Sequence, residues 1–277
     1  VGEADANWAV ARGGYGSFQI LKSEDLAQYT GGADAFSYHH YGAVSQRGAP
    51  MGHQTSPDRA LGEGWLSRTD QTLAYCRRVR DRWMPGKRFW NTETGETACG
   101  GNPWAGSFLD TFRYLDQLGR LARQEVEVVL HNTLAASGYS LLHEGDFTPK
   151  PSYWGALLWR GLMGTTVLDT GFTNRPGLHV YAHNLRRAAG GVALLVLNTD
   201  RAASRSLAIP VAAQRFTLAA TSVTDTSVTL NGTPLELGAG DALPAMAGQQ
   251  VGAGELAFVP ATITFLAIPA AQNEACR

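Results

Sequence analysis

The residues of this chain best placed to do chemistry are carboxylates, imidazoles and phenols that stand where hydrophobic runs give way to glycine-rich loops. Three clusters fit that description: His39-His40-Tyr41, Glu93 ahead of Gly95 to Gly101, and His131-Asn132 with Gly138-Tyr139. Glu93 closes the run Arg88-Phe89-Trp90-Asn91-Thr92-Glu93. A carboxylate at the end of an apolar strand needs a hydrogen-bonded or charged partner to offset its desolvation. A catalytic nucleophile meets that need, and so does a purely structural strand-end carboxylate. Glu96, three residues further on, is an equal candidate by composition but falls in the loop.

Other chemistries fit less well. His39-His40, His131 and His143-Glu144 suggest metal ligands, yet neither His-Glu-x-x-His nor Cys-x-x-Cys spacing occurs, and no metal or cofactor is expected. A serine hydrolase would need Gly-x-Ser-x-Gly, which is absent. Gly13-Gly14-Tyr15-Gly16 lacks the phosphate-loop lysine and follows no convincing strand.

The clusters need elements to hold them. Asp34 to His40 reads as a buried strand entering a loop broken by Pro50 and Gly52. Ser67 and Asp70 are expected to cap a helix whose apolar stripe is Leu73, Cys76, Val79 and Trp83, which makes Cys76 a core thiol. Pro85-Gly86 ends that helix, and Arg88 to Glu93 is the next strand. A second helix carries Phe108, Leu109, Phe112, Leu115, Leu118 and Leu121 on one face and Asp110, Arg113, Asp116, Gln117 and Arg120 on the other. Glu127 to Asn132 reads as a third strand, followed by a helix from about Tyr153 to Met163. Three strand-loop-helix units imply a parallel sheet, whose chemistry sits at the C-terminal strand ends.

Beyond Thr165 the text changes to short strands and turns: Leu178 to Ala182, Val192 to Asn198, Ser206 to Ile209, Arg215 to Ala220, Ser227 to Leu230 and Phe258 to Ile268, with Asn231-Gly232 as a hairpin signal. That pattern predicts a β-sandwich over 165–277 after an α/β part over 1–164.

The chain has 277 residues with 23 Lys and Arg against 24 Asp and Glu, so the charge balance gives no case for a nucleic-acid partner. Apolar runs such as Val192 to Leu197 are far short of the ~20 residues of a membrane span. Val1 to Asp5 carries no readable targeting signal. Cys76, Cys99 and Cys276 allow one bridge at most.

Several segments resemble the heparanase-like enzymes of glycoside hydrolase family 79. They are Phe36-Ser37-Tyr38-His39-His40-Tyr41, Phe89-Trp90-Asn91-Thr92-Glu93-Thr94, Cys99-Gly100-Gly101, Tyr114-Leu115-Asp116-Gln117-Leu118-Gly119, Ser152-Tyr153-Trp154-Gly155-Ala156-Leu157-Leu158-Trp159, Leu162-Met163-Gly164-Thr165, Ser227-Val228-Thr229-Leu230-Asn231-Gly232 and Leu243-Pro244. The likeness is collinear over almost the whole chain. It implies a (β/α)8 TIM barrel followed by a β-sandwich, secretion or a periplasmic location, and retaining hydrolysis of β-glucuronides in a glycan or small glucuronide. Glu93 then matches the nucleophile. Tyr41 and His39 match substrate contacts, and Gly100, Gly101 and Tyr139 match the grip on the glucuronate carboxylate.

The departures are as informative. The loop from Glu93 to Gly101 is one residue longer than in heparanase itself, with Cys99 in place of an aromatic. The position that would pair with Cys276 is Asn184, so that bridge is expected to be missing. The family's acid/base glutamate follows an Asn at the end of the fourth barrel strand, and the Asn-Glu found here is Asn273-Glu274 in the C-terminal tail. The resemblance starts at Val1-Gly2-Glu3, near the end of the fifth strand. A (β/α)8 barrel takes ~250 residues. The 1–164 part is therefore expected to be the C-terminal half of a barrel, strands six to eight, that lacks the acid/base and is inactive alone unless a separate N-terminal segment completes it. The competing expectation is a non-catalytic carbohydrate-binding relative.

Overall fold

In the computed structural model, which describes residues 32–51 and 54–277, the three polar clusters end three neighbouring parallel strands. These are β1 (Ala35–His40), β2 (Arg88–Thr94) and β3 (Val128–His131), in the order β1-β2-β3. Two helices, α1 (Glu63–Leu66) and α2 (Arg68–Trp83), link β1 to β2, α3 (Phe108–Ala122) links β2 to β3, and α4 (Pro151–Leu162) follows β3. The segments Val1-Gly2-Glu3 and Gly13 to Gly16 lie outside the described residues.

Leu73, Cys76 and Val79 of α2 are buried against Phe36 and Tyr38 of β1 and Phe89 of β2, as the helical stripe predicts. The expected cap does not form. Ser67 is itself in a helical conformation, and its N–H donates to Glu63 O, so the chain runs from α1 into α2 without a side-chain cap. Asp70 is drawn into an ion pair with Arg120 instead. Helix α4 starts at Pro151, where a residue without an N–H fits the first helical turn, two residues before the expected start.

A larger correction concerns α3. Its apolar face is buried, but Asp110, Arg113, Asp116, Gln117 and Arg120 on the other face are buried too. Asp110 pairs with Arg113, and Arg120 pairs with Asp116, Asp70 and Glu63. His179 and Tyr181 both reach Asp116 Oδ1 at 2.6 Å. The polar face is a junction with other elements.

The rest of the chain is antiparallel. Strand β4 (Met163–Leu168) begins directly after α4, and β5 (His179–Leu185), β6 (Val192–Asn198), β7 (Arg205–Ile209), β8 (Ala213–Ala219), β9 (Thr229–Leu230), β10 (Thr233–Pro234), β11 (Gln249–Val251), β12 (Gly254–Phe258) and β13 (Thr262–Ile268) follow. The large sheet runs β10-β9-β8-β13-β6-β5-β4 with β11 on β8, and β7 pairs with β12 separately. The expected strand over 258–268 is two strands in different sheets, because Ala261 turns the chain with φ 49°. Asn231-Gly232 forms the expected tight hairpin, with φ values of 51° and 86° and Leu230 opposite Thr233.

One face of the large sheet packs Tyr181, Leu195, Leu197 and Phe265 against Phe112, Leu115 and Trp154 of α3 and α4. Another apolar cluster joins Val180, Val196 and Leu266 of that sheet to Ile209 and Phe258 at the ends of the β7–β12 pair. Cys276 is a buried free thiol, and Asn184 accepts the Thr166 N–H at 2.8 Å. No helix among the described residues is long and apolar enough to cross a membrane.

Candidate active site

Strand β2 is bulged where its chemistry lies. Tyr38 pairs with Asn91 and His39 with Glu93 on one side, while Val129 pairs with Asn91 and His131 with Thr94 on the other, so β2 has one extra residue against both neighbours. Thr92 and Glu93 are consequently both half-buried where strict alternation would bury one. Such bulges re-aim side chains. Here the re-aimed group is the Glu93 carboxylate.

Tyr41, the first residue past β1, donates its hydroxyl proton to Glu93 Oε1 at 2.7 Å and accepts from Asn132 Nδ2 at 2.8 Å. Burial pushes the Tyr41 phenol well above its ordinary pKa; Asn132 opposes the shift, and Glu93 and Tyr139 add to it. Tyr41 therefore stays protonated and acts as a donor. His39 Nδ1 lies 3.8 Å from Glu93 Oε2, beyond hydrogen-bond reach. The Glu93 side chain is 39% exposed, and among the described residues its Oε2 has no hydrogen bond. His40 points the other way, into the core, where it meets Thr72 Oγ1 at 2.9 Å.

Glu96 has a different environment. It is 2% exposed, and its oxygens accept from Thr97 Oγ1 at 2.8 Å and from both the backbone N and Nδ2 of Asn102 at 2.9 Å. Burial raises its pKa, with Asp110 adding to the shift and Asn102 and Thr97 opposing it. Glu96 thereby ties the neck of the loop that runs from Thr97 to Gly101.

At the tip of that loop Cys99, Gly100 and Gly101 take φ values of 66°, 83° and 90°. A Cβ on Gly101 would stand 2.9 Å from both the Tyr139 ring and Ala105, so glycine is required there for space as well as for φ. Among the described residues, the N–H groups of Gly100 and Gly101 have no acceptor. Gly138 N–H donates to Gly100 O at 2.9 Å, which joins this turn to the loop carrying Tyr139. His131 holds Tyr139 by its backbone oxygen at 2.8 Å, so Nε2 carries the proton. Burial, with Arg113 second, lowers the His131 pKa to about 4 and keeps the ring neutral.

The structure thus brings His39, Tyr41 and Glu93 together, with Gly100 and Gly101 on an adjoining turn and Tyr139 on the loop bonded to it. Asn132 joins them. The sequence marks it only as part of a strand-end cluster, and its contact with Tyr41, 91 residues away, was not legible there. No group of three or more metal-ligating side chains occurs among the described residues. A cleft of about 960 Å³ opens at the opposite ends of β2 and β3, lined by Arg88, Glu127 and Trp159 among others. It contains none of the site residues.

No protein-family model matches the chain. Among curated proteins it is 36% identical to heparanase-like protein 1 of Arabidopsis thaliana over 141 residues, which is 50% of this chain and 26% of that one. It is 28% identical to heparanase of Gallus gallus over 260 residues, 88% of this chain and 48% of that one. The chain is thus similar to heparanase and heparanase-like proteins over most of its length. It spans about half or less of the length of these relatives. Two further heparanase-like matches point in different functional directions. One is baicalin-beta-D-glucuronidase of Scutellaria baicalensis, 35% identical over 37% of this chain and 19% of that one. The other is inactive heparanase-2 of Homo sapiens, 28% identical over 76% of this chain and 40% of that one. Among solved structures, an arabinofuranosidase superposes with a TM-score of 0.65 at 13% identity, covering 96% of this chain and 56% of that one. The fold is thus of the barrel-like glycoside hydrolase kind, with no closed barrel among the described residues.

Proposed function

We propose that the chain carries the nucleophile and carboxylate grip of a retaining glycosidase acting on β-linked glucuronic acid, with Glu93 as the nucleophile. The observation that carries this reading is the Tyr41–Glu93 hydrogen bond at 2.7 Å on the bulged end of β2. It orients one oxygen of the carboxylate and leaves the other open. Glu93 attacks the anomeric carbon, the glycosidic C–O bond breaks, and the leaving oxygen takes a proton from a second carboxylic acid. Water then cleaves the glucuronyl ester, giving its proton to that second carboxylate and restoring Glu93. The free N–H groups of Gly100 and Gly101, with the Tyr139 hydroxyl, receive the substrate carboxylate. The Arg47 guanidinium borders this cradle, since a Cβ on Gly100 would stand 3.0 Å from Arg47 Nη1, while the groups aimed at the anion are neutral donors.

Retention requires the two carboxyl groups about 5–5.5 Å apart. Glu96 is saturated by Thr97 and Asn102, and Asn273 is engaged at the chain end, where it accepts the Ala275 N–H. The acid/base is, on this reading, supplied from outside the described residues. On this reading β1 to β3 are strands six to eight of a (β/α)8 barrel within 1–164, and 165–277 is an accessory β-sandwich. Among the described residues β1 and β3 have no further strand on their outer edges, and this and the half-exposed Leu130 support it.

Fluoride leaves without protonation, so 2-deoxy-2-fluoro-β-glucuronyl fluoride tests the nucleophile independently of the acid. Peptide mass spectrometry is expected to find the ester on Glu93 and none in Glu93→Gln, while an unactivated aryl glucuronide shows negligible turnover by this chain. An ester on Glu96 would move the nucleophile. The match to inactive heparanase-2 favours a second reading, a glycan-binding relative without turnover. Binding of glucuronate without any label would select it.

A further inference from the structure

Lys150 is a buried cation in an unfavourable place. It is 6% exposed, and it occupies the N-cap of α4, where the helix dipole disfavours positive charge. Among the described residues no carboxylate lies within ion-pair distance of its Nζ. All three of its contacts are neutral: Ser137 O at 3.1 Å, Gly138 O at 3.1 Å and Ser140 Oγ at 2.7 Å. The Ser140 hydroxyl donates its own proton to backbone oxygens, so its oxygen accepts from Lys150. Three acceptors use all three protons of an ammonium, one more than a neutral amine has to give.

Those acceptors flank Tyr139 on both sides. Gly138, whose oxygen Lys150 binds, donates its N–H to Gly100 O. One ammonium therefore fixes the Tyr139 loop and, through a single peptide unit, the Gly100–Gly101 turn. Gly106 keeps room for the lysine stem, since a Cβ there would lie 3.3 Å from Lys150 Cδ. Burial lowers the Lys150 pKa, and the charge of Glu144 only partly opposes that shift. A buried charge whose hydrogen-bond partners are all neutral is costly, and an anion arriving at the two free glycine N–H groups would offset that cost.

Building on the glucuronate reading of the site, we propose that Lys150 is the positioning residue and the positive charge behind the carboxylate cradle, and that it sets the preference for a uronic acid over a neutral sugar. It touches no substrate itself. Its effect is read in discrimination between two ligands of the same shape, methyl β-D-glucuronide and methyl β-D-glucoside, titrated calorimetrically against the full chain.

The native chain is expected to favour the glucuronide. Lys150→Met, which keeps the stem, is expected to cut that preference roughly tenfold, the scale of one charge acting across a partly buried site. Lys150→Arg, which keeps the charge but cannot repeat the three bonds, is expected to weaken both ligands and keep the preference. If Lys150→Met does not fold, the arginine variant carries the test, and loss of its preference overturns the proposal. Equal weakening of both ligands in Lys150→Met marks a merely structural lysine and overturns it as well. A native chain without preference overturns the glucuronate site, and this inference with it. A native preference that survives in Lys150→Met overturns this inference alone.

Discussion

Glu93 and Asp116 are both carboxylates fixed by a tyrosine hydroxyl, and they have opposite fates. Asp116 has no solvent exposure: Oδ1 receives the Tyr181 hydroxyl and faces His179 Nδ1, both at 2.6 Å, and Oδ2 receives Arg120 Nε at 2.6 Å. Burial pushes its pKa up, but the His179 contact and the Arg120 charge outweigh that and hold it below the usual carboxylate range. Among the described residues Glu93 has one hydrogen bond, from Tyr41, with His39 at 3.8 Å. A saturated carboxylate joins elements, whereas one left with an unused oxygen can react. The junction around Asp116 links α1, α2 and α3 to β5, so it holds the parallel sheet's helices against the antiparallel sheet.

Emptying the junction is expected to have the largest effect. Arg120→Met leaves Asp116, Asp70 and Glu63 facing one another with no guanidinium between them. Removing one member of a buried ion network costs about 3–5 kcal/mol, and urea unfolding at neutral pH measures it. A loss below about 1 kcal/mol would mean that the polar face of α3 behaves as a solvated one.

The next effect is steric. Gly119 faces the Tyr181 ring so closely that an added Cβ would sit 2.4 Å from it. Gly119→Ala must push α3 away from β5, at a cost of about 3 kcal/mol, the upper end for overpacking. It would also stretch the Tyr181–Asp116 hydrogen bond. Thermal unfolding of Gly119→Ala beside Tyr181→Phe separates the two: the alanine variant is expected to lose more.

These two sites also mark where the sequence is readable. Strands β1, β2 and β3 and the stripe of α2 are legible because their signals are local: alternation, helical spacing, and polar residues at strand ends. The hairpin at Asn231-Gly232 is local too. The buried polar face of α3 was invisible because its partners Glu63, Asp70, His179 and Tyr181 lie 50 to 65 residues away, and amphipathicity alone cannot tell a solvated face from an ionic junction. At the site, Glu93 and Tyr41 could be marked by residue type. The saturation of Glu96, which separates the two carboxylates, arises from Asn102 folding back across the loop. The bulge that aims Glu93 has no local signal.

A smaller effect comes from His40, next in sequence to His39 but buried in the core. Burial, with Arg113 and Arg68 behind it, lowers its pKa to about 3. The unfolded chain binds a proton near pH 6.5 that the folded one refuses, so this histidine's stability contribution is full above 6.5 and declines as pH falls towards 3. Between pH 7 and 5 the loss is about 2 kcal/mol. His131, lowered to about 4, acts in the same sense, while Glu96, raised, acts in the opposite one. His40→Gln can keep a hydrogen bond to Thr72 without titrating. It is expected to lose about 2 kcal/mol less than the native chain over that interval, because the other groups cancel in the difference.

The smallest stability effect belongs to the residue with the largest proposed role. Glu93→Gln keeps the shape of the side chain and an oxygen to accept the Tyr41 proton, and the side chain is already 39% exposed. Stability should change by no more than about 0.5 kcal/mol, even as the covalent label disappears. Glu96→Gln should behave in reverse. Its amide would bring donors towards the Asn102 N–H and the Thr97 hydroxyl, opening the loop neck and destabilising the chain by about 1–3 kcal/mol. Paired urea titrations of the two variants read this directly. A stable, label-negative Glu93→Gln beside a destabilised Glu96→Gln is the expected pair, and the reverse pattern would exchange the roles of the two carboxylates.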